Sequence, residues 1–410
     1  MENPSTIRTN EQFTDNWEPV HSIVRKILSI QSITTGKTDQ SWILCYRGDF
    51  YSDDTEKIYA DLENKVAFFN LIPQFRLEDQ KPVIYLLEKP KPQQVAKSNK
   101  NLILFIVTFI SVWVTGALYT YQDPESIFSI HFLQHMILDG WPFAVSLLTI
   151  LGAHEMGHYF AGRWHKVNVS LPYFLPLPVI SPFGTMGAFI NMKSTPKNRK
   201  QLFDIGAAGP LSGLIVAIPI LFIGLSLSHV EALPMQVPTN SGLQMEGNSL
   251  FYLLAKYIVF QQWLPQPVDF GNLSPFLYWV KYFFTGKPFP YGGLDVIIHP
   301  VAWAAWGGIL VTSLNLIPSG QLDGGHILYA LLGEKSRRFY PIILVLLIIL
   351  GFFWSGWWFW ATLIFFINRV PAPLYDQITP LDNKRKVLGI CLLILFVLLF
   401  SPIPLVQVIG

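Results

Sequence analysis

The stretch LLTILGAHEMGHYFAGRW, residues 147–164, places three ionisable side chains inside an otherwise apolar helical pattern. His154 and His158 are four residues apart, so on an α-helix they lie on one face, about 40° from each other, where both can bind one metal ion. Glu155 can reach a water on that metal without being a ligand itself. Ionisable groups in a segment that suits lipid cost roughly 2.5–3.5 kcal/mol each and are functional by default. The pattern therefore predicts a metal site in a membrane helix.

The composition of the whole chain agrees with a membrane protein. Of the 410 residues, 51% are hydrophobic and 14% are charged, whereas about a quarter of an ordinary soluble domain is charged. The charge is concentrated, because 27 of the first 100 residues are Asp, Glu, Lys or Arg, against 29 of the other 310. The net charge of +2 excludes a polycationic nucleic-acid binder, and the two cysteines exclude a disulfide framework and a cysteine metal cluster. We expect a soluble head followed by a membrane body.

The head, residues 1–96, is predicted to be a small soluble α+β domain. Its first residues lack the apolar core of a secretory signal, so the head is expected on the side of synthesis unless a transit segment was trimmed away. Its carboxylates are interleaved with Lys and Arg as on a solvated face, so we expect a regulatory rather than a catalytic role. Two helical patterns, a strand, a hairpin and a polar linker are predicted at 20–30, 54–69, 41–51, 75–88 and 90–100, respectively.

The rest of the chain, residues 97–410, is predicted to be a polytopic α-helical membrane domain of about seven spans. Five clusters of Lys and Arg flank the segment ends, and all of them fall on the cytoplasmic face if the spans alternate. The long 229–297 stretch on the opposite side is nearly uncharged and is expected to rest partly in the membrane interface. A span needs about 20 mostly apolar residues, and the candidate spans are 101–121, 141–163, 203–228, 298–317, 340–354, 356–369 and 387–407.

A catalytic zinc site takes three protein ligands and a water, so a third ligand is expected from another segment. Asp295 and His299 fall at the membrane face opposite the two histidines, and Asp204 is expected to pair with the lysines that precede it. Asp323 lies in NLIPSGQLDGGH, where an apolar span breaks, and broken backbone at membrane depth is tolerated where it lines a cavity. Asp323 is therefore the best-placed oxygen ligand, while His326 is either a residue behind the ligands or a polar helix start.

These motifs together resemble the site-2 protease family of intramembrane zinc metalloproteases. The order HEMGH and then Asn-x-x-Pro…Asp-Gly matches the family, over about residues 140–335. SPFGTMGAFINMKS (181–194) is similar to the family's membrane-associated β-hairpin, and FDIGAAGPLSG (203–213) to the Gly-rich start of its third core helix. The head and the long 229–297 segment look most like the EGY-like branch of chloroplasts and cyanobacteria.

The resemblance implies a role for each matching residue. His154, His158 and Asp323 match the family's zinc ligands, Glu155 matches its catalytic base, and Asn315 matches a polar residue that holds the substrate or the oxyanion. It also implies Zn²⁺ as cofactor, transmembrane proteins as substrates, and regulated intramembrane proteolysis as the function. The expected location is the plasma or thylakoid membrane of a cyanobacterium, or a chloroplast membrane.

Several alternatives stay open at this point. Residues 184–192 either offer a strand edge to an unwound substrate or form a structural plug, and Asn315 alternatively bonds the broken backbone beside it. A membrane metal-ion transporter could use the same histidines and Asp323, although no internal repeat supports it. A haem protein is the other rival, since several histidines lie in or near the spans, but it has no use for Glu155.

Overall fold

The computed structural model describes residues 17–37, 40–90, 99–121, 129–178, 180–236, 242–367 and 373–409. These residues form two compact units. The first contains the described part of residues 1–96 together with two later segments, Pro196–Arg199 and Pro373–Pro380, and the second contains the remainder.

The first unit is a four-stranded antiparallel sheet with the strand order β1-β2-β4-β3. Two amphipathic helices bury Val20, Val24 and Leu62 against sheet residues such as Phe75 and Ile84. Its elements are α1 (Glu18–Arg25), β1 (Leu28–Thr35), β2 (Trp42–Phe50), α2 (Thr55–Val66) with a 3₁₀ turn (Ala67–Phe69), β3 (Leu71–Glu78) and β4 (Lys81–Glu88).

The predicted elements of the head agree with these bounds except at two places. The hairpin expected over 75–88 begins earlier, because β3 starts at Leu71. The helix expected over 20–30 ends at Arg25, and β1 begins at Leu28. The prediction of helix for the last residues of that segment was wrong because Ile and Thr recur through 28–35, and such β-branched residues fit a pleated surface. This strand pairs with β2, from Leu28 opposite Phe50.

The two later segments complete this unit through main-chain hydrogen bonds. Phe75 N of β3 donates to Tyr375 O at 2.8 Å, and Gln377 N donates to Phe75 O at 3.2 Å, so the second segment runs along the β3 edge. Arg199 of the first segment donates to Gln377 O at 2.7 Å. No periodicity or composition signal in these segments predicted that they would join the head.

The second unit is mostly helical, with three two-stranded antiparallel ladders, β5–β6, β7–β9 and β8–β10. α4 continues into α5 through a π-helical turn at Met136–Gly140, and a 3₁₀ segment, Gly333–Arg338, follows α10. The helices are α3 (Lys100–Thr120), α4 (Ile130–His135), α5 (Trp141–Trp164), α6 (Arg199–Ser226), α7 (Leu250–Phe260), α8 (Pro275–Thr285), α9 (Pro300–Asn315), α10 (Asp323–Leu332), α11 (Phe339–Leu350), α12 (Gly356–Ile367) and α13 (Asn383–Leu399). The strands are β5 (Tyr173–Pro176), β6 (Thr185–Phe189), β7 (His229–Ala232), β8 (Gly242–Glu246), β9 (Leu294–Ile297) and β10 (Leu405–Ile409).

Three helices among the described residues are long and apolar enough to cross a membrane: α3, the continuous α4–α5 helix, and α6. The other four predicted spans correspond to α9, α11, α12 and α13, which have 16, 12, 12 and 17 residues. These helices are shorter than the roughly 20 residues that a straight crossing needs. The three long apolar helices agree with a membrane protein. The predicted linker over 90–100 and the loop after α3 lie largely outside the described residues.

Candidate metal centre

α5 carries the first part of the centre. His154 and His158 are both buried, and their ring centroids are 4.9 Å apart on one face of the helix. Glu155, the next residue along the helix, is also buried, with 5% of its surface exposed. The described residues thus place two imidazoles and a carboxylate inside an apolar helix, as the four-residue spacing predicts.

α10 supplies the third donor at its first residue. Asp323 Oδ2 lies 3.2 Å from His154 Nε2 and 3.3 Å from His158 Nε2. The three donor atoms all lie within 4.8 Å of one another. A tetrahedral zinc site with bonds of about 2.0–2.1 Å has ligand atoms about 3.3 Å apart. Two nitrogens and one oxygen at these separations fit Zn²⁺ and leave the fourth position to a water.

A break in the backbone between α9 and α10 brings Asp323 to the histidines. α9 ends at Asn315, and Gly320 then takes a left-handed conformation with φ 57°, which favours glycine. Gly324 packs so closely that a Cβ there would lie 1.9 Å from Leu316 O. This close packing explains why glycine follows Asp323, and it holds the start of α10 against the end of α9.

α6 forms the floor of the centre with a row of glycines. A Cβ at Gly209 would lie 2.0 Å from His158 Nε2, and one at Gly213 would lie 3.2 Å from His154 Nδ1. A Cβ at Gly206 would meet the Cβ of His326 at 2.9 Å. Any larger residue at Gly209 would therefore displace a donor nitrogen. This close packing against the histidines explains the glycines of the FDIGAAGPLSG stretch, and the sequence alone did not indicate it.

The tautomer of His158 follows from a contact to α6. Its Nδ1 donates a hydrogen bond to Ile205 O at 2.7 Å, so the lone pair of Nε2 is directed at Asp323 and the metal position. A carbonyl at this point cannot be read from sequence, because every residue has one.

The candidate oxyanion donor also lies at the centre. Asn315 Nδ2 is 3.3 Å from His154 Nε2, which places the amide beside the metal position. The main chain of Ile190, just after β6, hydrogen-bonds the Glu155 carboxylate, so the β5–β6 hairpin adjoins Glu155.

The remaining candidates lie elsewhere in the second unit or have other partners. Asp204 binds Arg385 through two contacts of 2.6 and 2.7 Å and His165 at 2.8 Å, two partners that the sequence did not predict. His299 caps α9 by accepting from Val301 N at 3.3 Å. These residues are therefore occupied away from the two histidines.

Two further candidates are buried. Asp295 Oδ1 lies 3.5 Å from Lys256 Nζ, which is also 3.9 Å from Glu246 Oε1. His326 is buried against Gly206, and its Nδ1 has no hydrogen-bond partner among the described residues. We call Lys256, Asp295 and Glu246 the Lys256 cluster. The segment that contains them, residues 229–297, is nearly uncharged, and its sequence gives no sign that these few charged residues meet.

The family model for peptidase family M50 matches residues 142–353, slightly more than half of the chain. The chain belongs to peptidase family M50. The matched range contains the two histidines, the glutamate, the asparagine and the aspartate of the centre, and the predicted family is confirmed.

Curated relatives of this M50 member are chloroplast proteins of plants. "Probable zinc metalloprotease EGY2, chloroplastic" of Oryza sativa subsp. indica is 28% identical over 356 residues, covering 85% of this chain and 59% of the relative. The Arabidopsis thaliana protein of the same name is 27% identical over 369 residues, with 85% and 58% covered. "Probable zinc metalloprotease EGY1, chloroplastic" of Oryza sativa subsp. japonica is 25% identical, with 77% and 52% covered. The chain thus spans a little over half the length of these relatives, and the predicted similarity to EGY proteins is confirmed.

Proposed function

We propose that this chain is an intramembrane zinc metalloendopeptidase, which hydrolyses peptide bonds within or next to transmembrane segments of membrane proteins. The observation that carries the proposal is the convergence of His154, His158 and Asp323 on one point in an apolar environment, with Glu155 beside it. Family membership and the names of the relatives, which are probable zinc metalloproteases, support both the metal and the reaction class. We also propose that this cleavage is a step of regulated intramembrane proteolysis.

The chemistry divides between the metal and the side chains. A Zn²⁺ ion held by the three donors supplies Lewis-acid polarisation and lowers the pKa of water to about 7. Glu155 accepts a proton from the attacking water and returns it to the leaving amine nitrogen. The burial of Glu155 strengthens these interactions, because little bulk water screens them.

Asn315 is proposed to donate its amide N–H to the oxygen that becomes negative during attack. Its Nδ2 lies 3.3 Å from His154 Nε2, so the donor stands next to the reacting carbonyl when that carbonyl approaches the metal position. Donors aimed at a developing oxyanion typically contribute about 3–4 kcal/mol to the barrier reduction.

A substrate helix must unwind before it can be cut, because its amides are bonded internally. We propose that the free edge of β6 receives the unwound segment as an added strand. β6 pairs with β5, and no other described strand pairs with it. Met186 and Phe189 of β6 are about half exposed, and the hairpin adjoins Glu155 through Ile190. These two features favour a substrate platform over a plug.

The rest of the predicted architecture is proposed on the same basis. We propose about seven passes, a soluble regulatory head over 1–96, and a transmembrane metalloprotease domain over 97–410. The chloroplast names of the relatives and the apolar helices support a photosynthetic membrane as the location.

The test compares metal-free and metal-restored protein on two substrates. The full chain is purified in lipid nanodiscs, stripped with a chelator, and refilled with Zn²⁺ while bound metal is measured by mass spectrometry. One substrate is a model transmembrane helix, and the other is a water-soluble peptide that contains the same central residues. We expect cleavage of the helix only with about one zinc per chain. Equal cleavage of the helix by the stripped protein would overturn the assignment as a metalloprotease. If the full chain in sealed vesicles takes up metal and cleaves neither substrate, the metal-ion transporter would be favoured.

A further inference from the structure

One face of α9 leads toward the metal centre. Gly307, Val311 and Asn315 follow one another at intervals of four residues, so they lie along one side of the helix. Asn315 Nδ2 is 3.3 Å from His154 Nε2, at the metal centre. Every residue from Ala302 to Leu314 is buried except Val311, which is partly exposed. Val311 is therefore an accessible side chain one helical turn before the metal centre.

The β5–β6 hairpin fills the first position on this face with a side chain of its own. A Cβ at Gly307 would lie 2.6 Å from Cε1 of Phe183, in the connection between the two strands. The same connection packs against α3, where a Cβ at Gly184 would lie 2.5 Å from Thr115 Oγ1. This end of the hairpin is therefore fixed between two helices, and a substrate side chain has no room at Gly307.

The next position, one turn closer to the metal centre, is open. Gly187 of β6 is buried, yet a Cβ there would have only Val311 Cγ1, at 3.9 Å, within 4 Å among the described residues. Gly187 has a φ of 100° at an irregularity of the ladder with β5. A larger residue would be strained in this conformation, so the chain cannot fill the space from position 187. We call this open space the Gly187–Val311 corner.

A substrate that adds to β6 as a strand places a side chain at this corner. Residues that face each other on neighbouring strands point to the same side of the sheet, with their Cβ atoms about 4.5–5.5 Å apart. The substrate residue opposite Gly187 therefore points toward the Val311 side. The methyl group of an alanine is too short to bridge that separation, whereas a leucine side chain is long enough. Both walls of the corner are uncharged, so it favours an apolar side chain.

We infer that the Gly187–Val311 corner is a specificity subsite, which receives a leucine-sized apolar side chain of the substrate close to the bond that is cut. One helical turn from Val311 to Asn315 is about 5.4 Å, and an extended strand rises about 3.3 Å per residue. The leucine-sized residue thus lies one or two residues from the scissile bond. This inference rests on the proposed peptidase function and adds the feature that selects its substrates.

The first measurement locates a bound helix without using cleavage. The full chain with Glu155→Gln, in lipid nanodiscs, is mixed with alanine-rich model transmembrane helices that carry one photo-leucine at successive central positions. Crosslinked peptides are mapped by mass spectrometry. We expect crosslinks to residues 185–189 and 309–313 from one position of the series, and about tenfold fewer when Val311→Trp is added. Val301→Trp, at the partly exposed start of α9, is the matched control and should keep the crosslinks. Crosslinks that avoid both ranges, or equal crosslinking in the two Trp variants, would overturn the subsite.

The second measurement uses cleavage of the same helices with leucine in place of photo-leucine. With zinc bound, we expect the cut to follow the leucine at one or two residues, and the leucine helices to be cut at least about tenfold faster than an all-alanine helix. Val311→Trp should bring this ratio close to one while zinc content is unchanged, and Val301→Trp should preserve the ratio. A cut site that ignores the leucine, or an unchanged ratio in Val311→Trp, would contradict the subsite. If Val311→Trp does not fold, the crosslink map and the leucine scan with Val311 in place still decide. The expected crosslinks without any cleavage would count against the peptidase function and support the subsite.

Discussion

The metal centre and the Lys256 cluster are both groups of buried ionisable residues in the second unit, but they differ in how their charge is compensated. In the cluster, Lys256 Nζ lies between Asp295 and Glu246, and Tyr252 Oη donates to Glu246 at 2.9 Å. The cation and the hydroxyl belong to the protein itself. A buried arrangement of this kind is complete when the chain has folded.

The metal centre has two carboxylates and no cationic side chain. Asp323 and Glu155 face two histidines, and no lysine or arginine pairs with them among the ion pairs of the described residues. The Zn²⁺ ion of the proposed function would supply the missing positive charge. The comparison teaches that buried carboxylates paired only with imidazoles indicate a metal site, whereas buried carboxylates around a lysine indicate a structural ion-pair cluster.

The largest expected effect separates metal binding from catalysis. Glu155→Gln should retain about one zinc per chain and lose roughly 10²–10⁴-fold in the rate of helix cleavage, because an amide cannot accept the proton from water. Metal content and single-turnover cleavage are measured on the same preparation. Near wild-type cleavage would contradict the assignment of the base.

Two carboxylates provide the next test of the comparison. Asp323→Ala should lower zinc occupancy and activity together, while Asp204→Ala should leave the metal in place, because Asp204 is already paired with Arg385. Zinc titration with a fluorescent competitor gives both affinities. Loss of zinc in the Asp204 variant, with retention in the Asp323 variant, would reverse our choice of ligand.

Removal of the cation from the cluster should damage folding without touching the metal. Lys256→Met leaves two buried carboxylates uncompensated and should cost about 3–5 kcal/mol of stability. The matched control is Lys281→Met on α8, where the lysine is exposed. Thermal unfolding should show a lower midpoint for the first variant with and without chelator. Equal midpoints for the two variants would mean that Lys256 does not compensate the cluster.

The glycine row under the centre predicts a smaller loss of metal affinity. Gly209→Ala should weaken zinc binding about 10–100-fold, as disturbance of the groups that orient ligands does, because its Cβ would lie 2.0 Å from His158 Nε2. Gly152→Ala on α5 is the control, since nothing lies within 4 Å of a Cβ there. A similar zinc affinity in both variants would show that α6 can shift away from His158.

The last prediction concerns pH. Burial raises the pKa of Glu246 from 4.5 to about 7, against the opposing effect of Lys256. A carboxyl with a raised pKa binds its proton more tightly in the folded state, so its contribution to stability is full below pH 4.5 and is lost as the pH rises through about 7. Glu246→Gln should therefore flatten the pH dependence of the unfolding midpoint between these values. An unchanged slope would contradict the shift.

Much of the centre could be predicted because its chemistry is local. Helical spacing alone places His154 and His158 on one face, and Glu155 adjoins them in sequence. Asp323 could be favoured because a Pro-Ser-Gly break in an apolar span marks backbone that must line protein or water. The predicted first helix of the head extends too far, because a short alternation of Ile and Ser fits both the helical period of 3.6 residues and the strand period of two.

Long-range pairs could not be predicted in the same way. Arg385 and Asp204 are 181 residues apart, and the three members of the Lys256 cluster come from β8, α7 and β9. The joining of Pro196–Arg199 and Pro373–Pro380 to the head unit left no periodic signal. Main-chain groups are the extreme case, because the carbonyl of Ile205 has no signature in sequence.

The amino-acid sequence by itself determined the apolar helices, the two histidines and the glutamate on α5, and the family to which the chain belongs. Only the tertiary structure decided which carboxylates compensate a lysine and which face the histidines, and which glycines give those histidines room. The physical reason is distance along the chain. Periodicity and motif spacing act over a few turns of one element, whereas charge compensation and close packing depend on which elements meet in space.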